Sequence, residues 1–188
     1  GTLNAAGYTM SIGGNFTNSD TFTHGNNTVT FDSINTGETI TSGGSPFYNI
    51  VFDSADSTGA WTISDAMTVA NDFTLTDGDI TQNDDLTITG DFTQAAGTFT
   101  CADPTNDSFS VSGSFSIPDV AGAFSRFTGT DPDYTIYDVY GLQAMKCYKD
   151  KNFTLANDIN ASVTSGWNSG AGFDPIGDAS DNAYTGTF

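Results

Sequence analysis

Three carboxylates recur at one phase of this chain: Asp53, Asp72 and Asp91, each three residues after an apolar column residue, with Asn15 in the corresponding early place. Stacked on successive strands about 5 Å apart, such groups repel by roughly 1 kcal/mol per pair even in water. A bridging Ca²⁺ relieves that repulsion, because oxygen-rich turns are its natural ligands. The other reading makes them outward turn residues, solvated and screened by counter-ions. Asp77-Gly78-Asp79, Asp84-Asp85 and Asp131-Pro132-Asp133 invite the same two readings, and none has the EF-hand spacing. The expectation is therefore no cofactor, with Ca²⁺ as the alternative.

Other chemistry finds fewer residues. Paired carboxylates for glycoside hydrolysis are present in number, but number is not geometry. A lyase acting on acidic sugars needs Arg or Lys near its substrate, and the first 125 residues contain neither. His24 is the only histidine and stands in a Thr-Gly-Asn loop. No nucleophile elbow, phosphate loop or metal-binding Cys/His set occurs. The two cysteines, Cys101 and Cys147, are expected to pair in an exported protein and to remain free in the cytosol.

Composition narrows the class of partner. The 188 residues carry 23 acidic side chains against Arg126, Lys146, Lys149 and Lys151, a net charge of −19. Nucleic-acid binding requires basic side chains to neutralise phosphates, so it is excluded, and an anionic membrane surface is disfavoured for the same reason. No stretch approaches the ~20 apolar residues of a membrane span, and none of these residues reads as a signal peptide. The chain begins with Gly, as a processed or partial product would. Low Lys with abundant Thr, Asn, Gly and Asp suits an exported surface protein. Asn-x-Ser/Thr acceptors for glycosylation stand at Asn15, Asn26, Asn106, Asn152 and Asn160, at a frequency that an Asn- and Thr-rich composition largely supplies by chance.

An internal repeat must position all of these. Ile12, Phe31, Ile50, Val69 and Ile88 follow one another at intervals of 19 residues, and Val111 follows after 23. Apolar residues also stand two positions earlier: Met10, Val29, Tyr48, Met67, Leu86 and Phe109. A second column, Phe22, Ile40, Trp61, Ile80 and Phe99, lies half a repeat away, with polar residues alternating as in half-buried strands. One repeat cannot bury its apolar face alone. Stacked rungs at about 4.8 Å close a continuous core, with parallel pairing and a right-handed coil. The expected fold is all-β, a right-handed parallel β-helix (β-solenoid) with rungs of about 19 residues, six of them spanning roughly 25–30 Å. An antiparallel sandwich has no reason to hold such a register. Phe16, Phe73, Phe92 and Phe115 are expected at one interior corner, with Asn35 and Ser54 replacing them in two rungs. Thr-x-Thr pairs, as at 39–41, 74–76 and 98–100, suggest a flat threonine face, but their phases differ along the repeat, so strand propensity accounts for them.

The beat is lost near Ser125, giving two regions: solenoid rungs over 1–124 and a continuation or cap over 125–188. Asp138 to Tyr148 predicts one short helix, with Asp138 as N-cap and Leu142, Met145 and Val139 on a shared face. Further on come Asn157-Asp158-Ile159, then Gly172-Phe173-Asp174-Pro175-Ile176-Gly177, then Tyr184-Thr185-Gly186-Thr187-Phe188. This ordered set, over about 134–188, resembles a segment near the GLUG-type repeats of filamentous-haemagglutinin-like bacterial surface proteins. The resemblance implies a parallel β-helix on an extracellular filamentous protein. A Cys101–Cys147 bridge, closing a loop of about 46 residues, would then staple the cap to the rungs and stabilise by on the order of 4 kcal/mol.

The functional expectation is a non-enzymatic, extracellular structural or adhesive segment of a cell-surface protein or fibre. Its expected partners are a host or neighbour-cell glycan or protein, or further copies of itself joined head to tail as a filament. A carbohydrate-active β-helix enzyme is the rival from another class.

Overall fold

The computed structural model describes residues 1–177 and 182–188, so the last residues of the Gly-rich stretch lie outside it. Short strands recur in threes and each rung visits three faces in the same order. The second face is a sheet of six strands: Met10–Ile12, Thr28–Phe31, Asn49–Asp53, Phe73–Asp77, Phe92–Gln94 and Phe115–Ser116. The third is another six: Phe16–Thr17, Glu38–Thr41, Ala60–Ile63, Asp79–Gln82, Thr98–Cys101 and Phe124–Ser125. The first face is interrupted. Thr2–Asn4 pairs with Thr21–Thr23, and Met67–Val69, Leu86–Ile88 and Phe109–Val111 form a separate set, with Phe47 bridging to Val69. Every pairing on these faces is parallel. The chain is a parallel β-solenoid.

The register corrects the expected core ladder. A 19-residue step holds from Met67 to Leu86, Phe73 to Phe92 and Ile80 to Phe99. It holds also from Met10 to Val29 and Trp61 to Ile80, but other steps are longer: Val29 pairs with Ile50, Ile50 with Phe73, and Phe92 with Phe115. Ile12 and Phe31 therefore stand below Phe52, not Ile50. Ile50 is on the second face, whereas Val69, Ile88 and Val111 stack on the first. The second sequence column divides similarly: Trp61, Ile80 and Phe99 stack, Ile40 pairs with Ile63, and Phe22 with Leu3. Inward positions alternate on every face, so a slip of two or four residues lands on another inward position and leaves burial unchanged.

Burial survives the slip because the interior is filled by rings. Phe31, Phe52, Phe73, Phe92 and Phe115 run through successive rungs with centroids 5.1, 5.3, 5.1 and 5.2 Å apart. All five are buried. Each such side chain removed from water stabilises by about 2–3 kcal/mol, and favourable ring pairs add about 0.5–1.5 kcal/mol. Phe73, Phe92 and Phe115 thus share the expected corner. Phe16 instead pairs with Ile40 on the third face, and Ile50 fills the column between Val29 and Phe73.

Beyond Ser125 the chain turns across the end of the stack. Thr128–Thr130 and Asp133–Ile136 form an antiparallel hairpin, and Asn152–Leu155 pairs in parallel with Asp133–Ile136. The helix Val139–Ala144, extended by a 3₁₀ turn at Met145–Cys147, matches the predicted segment. Asp138 caps it by accepting the Gly141 N–H at 2.8 Å. Tyr140 lies with Trp167 over Phe115, at centroid distances of 5.1 and 5.0 Å from that ring. Met145 packs in a second small cluster with Ile136 and Phe153.

Candidate functional site: the turn carboxylates and the capped end

The three candidate cation ligands are not all brought together. Asp53 pairs across strands with Asp77, beside a bulge, away from the other two. Asp72 stands next to Asp91, and both carboxylates are engaged. Asp72 Oδ1 accepts the Asp91 N–H at 2.9 Å, and Asp91 Oδ1 accepts the Ser114 N–H at 2.7 Å. One rung below, Asn49 Oδ1 accepts the Asp72 N–H at 3.3 Å. The column is therefore Asn49, Asp72, Asp91, Ser114, in which each acid holds the backbone of the next rung. Such charge-assisted bonds offset part of the repulsion between the stacked acids. Among the described residues no group of three or more His, Cys, Asp or Glu is placed to hold a metal ion.

The same device recurs at other turns. Asp85 Oδ1 accepts both the Ser108 N–H at 2.7 Å and the Ser108 hydroxyl at 2.8 Å. The Ser108 N–H bond holds the Asp85 carboxyl below its ordinary range. Asp65 accepts the N–H groups of Ser42 and Gly43 at 2.7 and 2.8 Å. Close approach needs glycine where the rungs meet: a Cβ on Gly90 would overlap Asp72 Oδ1 and lie 2.7 Å from the Asn71 carbonyl oxygen. Gly113 stands in the same relation to Asp91 and Gly90. That explains the Gly in the repeated phrases Thr89-Gly90-Asp91-Phe92 and Ser112-Gly113-Ser114-Phe115.

The expected staple is corrected as well. Cys101 and Cys147 are free, buried thiols, each with its own neighbour. The Cys101 sulfur accepts from Arg126 Nη1 at 3.0 Å, and the Cys147 thiol faces the Pro118 carbonyl at 3.4 Å. Burial pushes both thiols up, with Arg126 partly opposing this at Cys101.

Arg126 supplies the tie that a disulfide was expected to make. Its Nε donates to Asp138 Oδ2 at 2.5 Å, Nη2 to the Asp107 carbonyl at 2.7 Å, and Nη1 to Gln82 Oε1 at 3.4 Å. The guanidinium is also 5.7 Å from the centre of the Phe109 ring. One buried cation thus joins two rungs, the Cys101–Phe109 turn and the helix N-cap. The lysines follow suit: Lys146 pairs with Asp174, Lys149 with Asp119, and Lys151 with Asp131 and Asp150 at 3.0 and 2.9 Å. All four basic side chains of the sequence hold the C-terminal region together. Their clustering between 126 and 151 was the legible signal of this, although it named no partners.

The cap also ends the strand ladder. The Tyr140 hydroxyl meets both the N–H and the C=O of Val111, at 2.8 and 3.3 Å, and Asn168 N–H reaches Ser114 Oγ at 2.9 Å. Trp167 is fully buried there. At the opposite end of the stack Thr2–Asn4 is exposed throughout and Met10, Ile12 and Phe16 are partly buried.

The outer faces carry threonine columns after all. Thr39, Thr62, Thr81, Thr100 and Ser125 are in register on the third face. Ser11, Thr30, Val51, Thr74, Thr93 and Ser116 are in register on the second. Unequal turn lengths hide this from a fixed 19-residue count. His24 lies in a turn stacked on Tyr48, with ring centroids 5.5 Å apart, and its Nδ1 accepts the Asn26 N–H at 2.9 Å.

The fold defines the class: a parallel β-solenoid repeat protein. Halomucin of Haloquadratum walsbyi is 52% identical to this chain over 40 residues, a segment that makes up 21% of the chain and 0% of halomucin's length as rounded. The chain thus spans a negligible part of that protein. No protein-family model matches the sequence, and no solved structure matches it. The short match and the fold fit, loosely, a repeat protein of the cell surface. Among the described residues no helix is long and apolar enough to cross a membrane.

Proposed function

We propose that the chain is a non-enzymatic structural segment of an extracellular surface protein, a stiff spacer that holds adhesive or protective parts at a distance. The observation that carries this reading is the unbroken aromatic column from Phe31 to Phe115, sealed inside parallel strands. Parallel rungs share load through many backbone hydrogen bonds at once. The faces they present are threonine columns edged by acidic turns, suited to a hydrated, charged exterior. The resemblance of Asn157–Ile159, Gly172–Gly177 and Tyr184–Phe188 to filamentous-haemagglutinin-type surface proteins supports the same reading.

Single-molecule pulling tests it. A load-bearing spacer unfolds in one or a few cooperative steps, releasing roughly 600–680 Å of chain. Unravelling rung by rung at low force would refute the mechanical role. Head-to-tail growth into filaments is the second reading. Tyr140 and Trp167 occupy the end on which another copy would add, so short single rods are expected by electron microscopy. Turnover of any glycan that disappears when one carboxylate is replaced would favour the enzyme reading instead.

A further inference from the structure

We propose that Asn26 is a site of asparagine-linked glycosylation and that Asn160 is a second one. The proposal rests on the extracellular reading above. Five acceptor triplets are present, at Asn15, Asn26, Asn106, Asn152 and Asn160, and the folded chain sorts them by the one atom that the chemistry needs. In that reaction the side-chain amide nitrogen attacks the anomeric carbon of a phosphate-activated, lipid-linked saccharide. The new carbon–nitrogen bond replaces the bond from that carbon to the phosphate oxygen, the lipid-linked phosphate leaves with that bond's electron pair, and the amide nitrogen gives up one proton to a base of the transferring enzyme. The product is stable in the fold only where Nδ2 is free and faces water.

Asn152 fails this test. Its Nδ2 donates to Asp133 at 2.8 Å, its Oδ1 accepts the Thr187 N–H at 3.0 Å, and the residue is half-buried. Asn106 fails as well, since its Nδ2 donates to Asp103 at 2.7 Å and to Thr105 at 3.1 Å. Asn15 is exposed with its Nδ2 unbonded, but its Oδ1 ties it to the next rung through the Thr39 N–H at 2.7 Å and hydroxyl at 3.1 Å. Sugar on this residue would have to keep that cross-rung bond, so it is left out of the expected sites.

Asn26 is different. It is the second central residue of the turn His24–Asn27, closed by the Asn27 N–H to the His24 carbonyl at 3.1 Å. Gly25 and Asn26 both have positive φ, +57° and +61°, as a type I′ turn requires. Its side chain is exposed and makes no hydrogen bond, while the neighbouring Asn27 is buried and bonded to the Tyr8 carbonyl at 3.0 Å. Asn160 is exposed too. Its Oδ1 accepts the Ser162 N–H at 3.0 Å, a local turn that uses the carbonyl oxygen and leaves Nδ2 unbonded.

Glycopeptide mass spectrometry on the protein recovered from its native cells tests this. Residues 1–125 contain no Lys or Arg, so an Asp-specific protease replaces trypsin. The expected result is sugar mass on the peptides of Asn26 and Asn160, with those of Asn106 and Asn152 bare. Asn26→Asp, which tolerates the left-handed turn, and Thr28→Ala should each abolish the whole sugar mass at Asn26. Sugar on Asn26 without Asn160 refutes the second site alone. Bare Asn26 and Asn160 in protein found outside the cytoplasm, beside other glycoproteins of the same cells, overturn the inference and leave the surface reading standing. Bare protein confined to the cytoplasm overturns both. Sugar on Asn106 or Asn152 defeats the sorting by amide nitrogen.

Discussion

Gly14 and Gly90 occupy the same place in a repeated phrase, Gly-Asn-Phe in one copy and Gly-Asp-Phe in the other, yet they answer to different neighbours. The nearest atom to a Cβ on Gly14 is Glu38 Oε2 at 3.8 Å, whereas a Cβ on Gly90 collides with Asp72 and the Asn71 backbone. Gly90→Ala is therefore expected to destabilise by about 1–3 kcal/mol, as overpacking does. Gly14→Ala should be neutral or stabilising by up to about 1 kcal/mol, because it restricts the unfolded chain without a clash. Equilibrium denaturation of the two variants measures the contrast, and equal effects would refute the account of the ladder. Asp85 gives a second residue-scale prediction. Its folded pKa lies below the usual 3.8, chiefly through the Ser108 N–H bond. Its contribution is thus present above the unfolded value and lost as pH falls through the folded one. Asp85→Asn should lose less thermal stability than the native chain between about pH 5 and about pH 3. The sequence showed Asp72 and Asp91 at one phase and Asp85 outside it, but phase says nothing about which backbone N–H a carboxylate meets.

At the scale of elements, the cap governs the end of the ladder. Trp167 is fully buried against Phe115 and Tyr140, and the Tyr140 hydroxyl occupies the edge at Val111. Trp167→Ala should cost about 3–5 kcal/mol at that end. Hydrogen exchange should then quicken in Phe109–Val111 and Phe115–Ser116, while Met67–Val69 and Leu86–Ile88 stay protected. Uniform acceleration throughout would mean that the cap and rungs are one cooperative unit. How legible these elements were depends on turn length. Between Met67 and Cys101 each rung repeats after 19 residues, and there the columns were read correctly from the sequence. Around Asp56–Gly59 and Cys101–Ser108 longer turns intervene, and Ile50 moved to a different face from Val69 without leaving the core. The helix was legible because Asp138 is a strong N-cap signal and Leu142 and Met145 lie at helical spacing. The Arg126 network was not, because its partners Gln82, Cys101, Asp107 and Asp138 are spread over 57 positions of chain.

On the scale of the whole molecule, charge is divided unevenly. The four basic side chains are all committed to ion pairs in the C-terminal region, and residues 1–125 bear acids without a Lys or Arg among them. Successive turns bring acids onto adjacent rungs, as with Asp72 and Asp91, and each such pair repels by about 1 kcal/mol in water at low salt. The Debye length falls from about 10 Å at 0.1 M to about 3 Å at 1 M, less than the spacing of the rungs. Raising NaCl over that range should therefore relieve a few kcal/mol of self-repulsion. For a chain of this size that corresponds to a rise of roughly 5–10 °C in the melting midpoint. The same series separates screening from a specific metal. Asp53 does not share a site with Asp72 and Asp91, and those two already accept backbone hydrogens, so CaCl₂ should follow the NaCl curve at equal ionic strength. A saturable rise at micromolar to millimolar Ca²⁺, above what ionic strength explains, would show that the turn carboxylates exchange their backbone partners for a cation. A midpoint that does not move with salt would show that the solenoid tolerates its −19 charge through geometry alone, with the acids too far apart to matter.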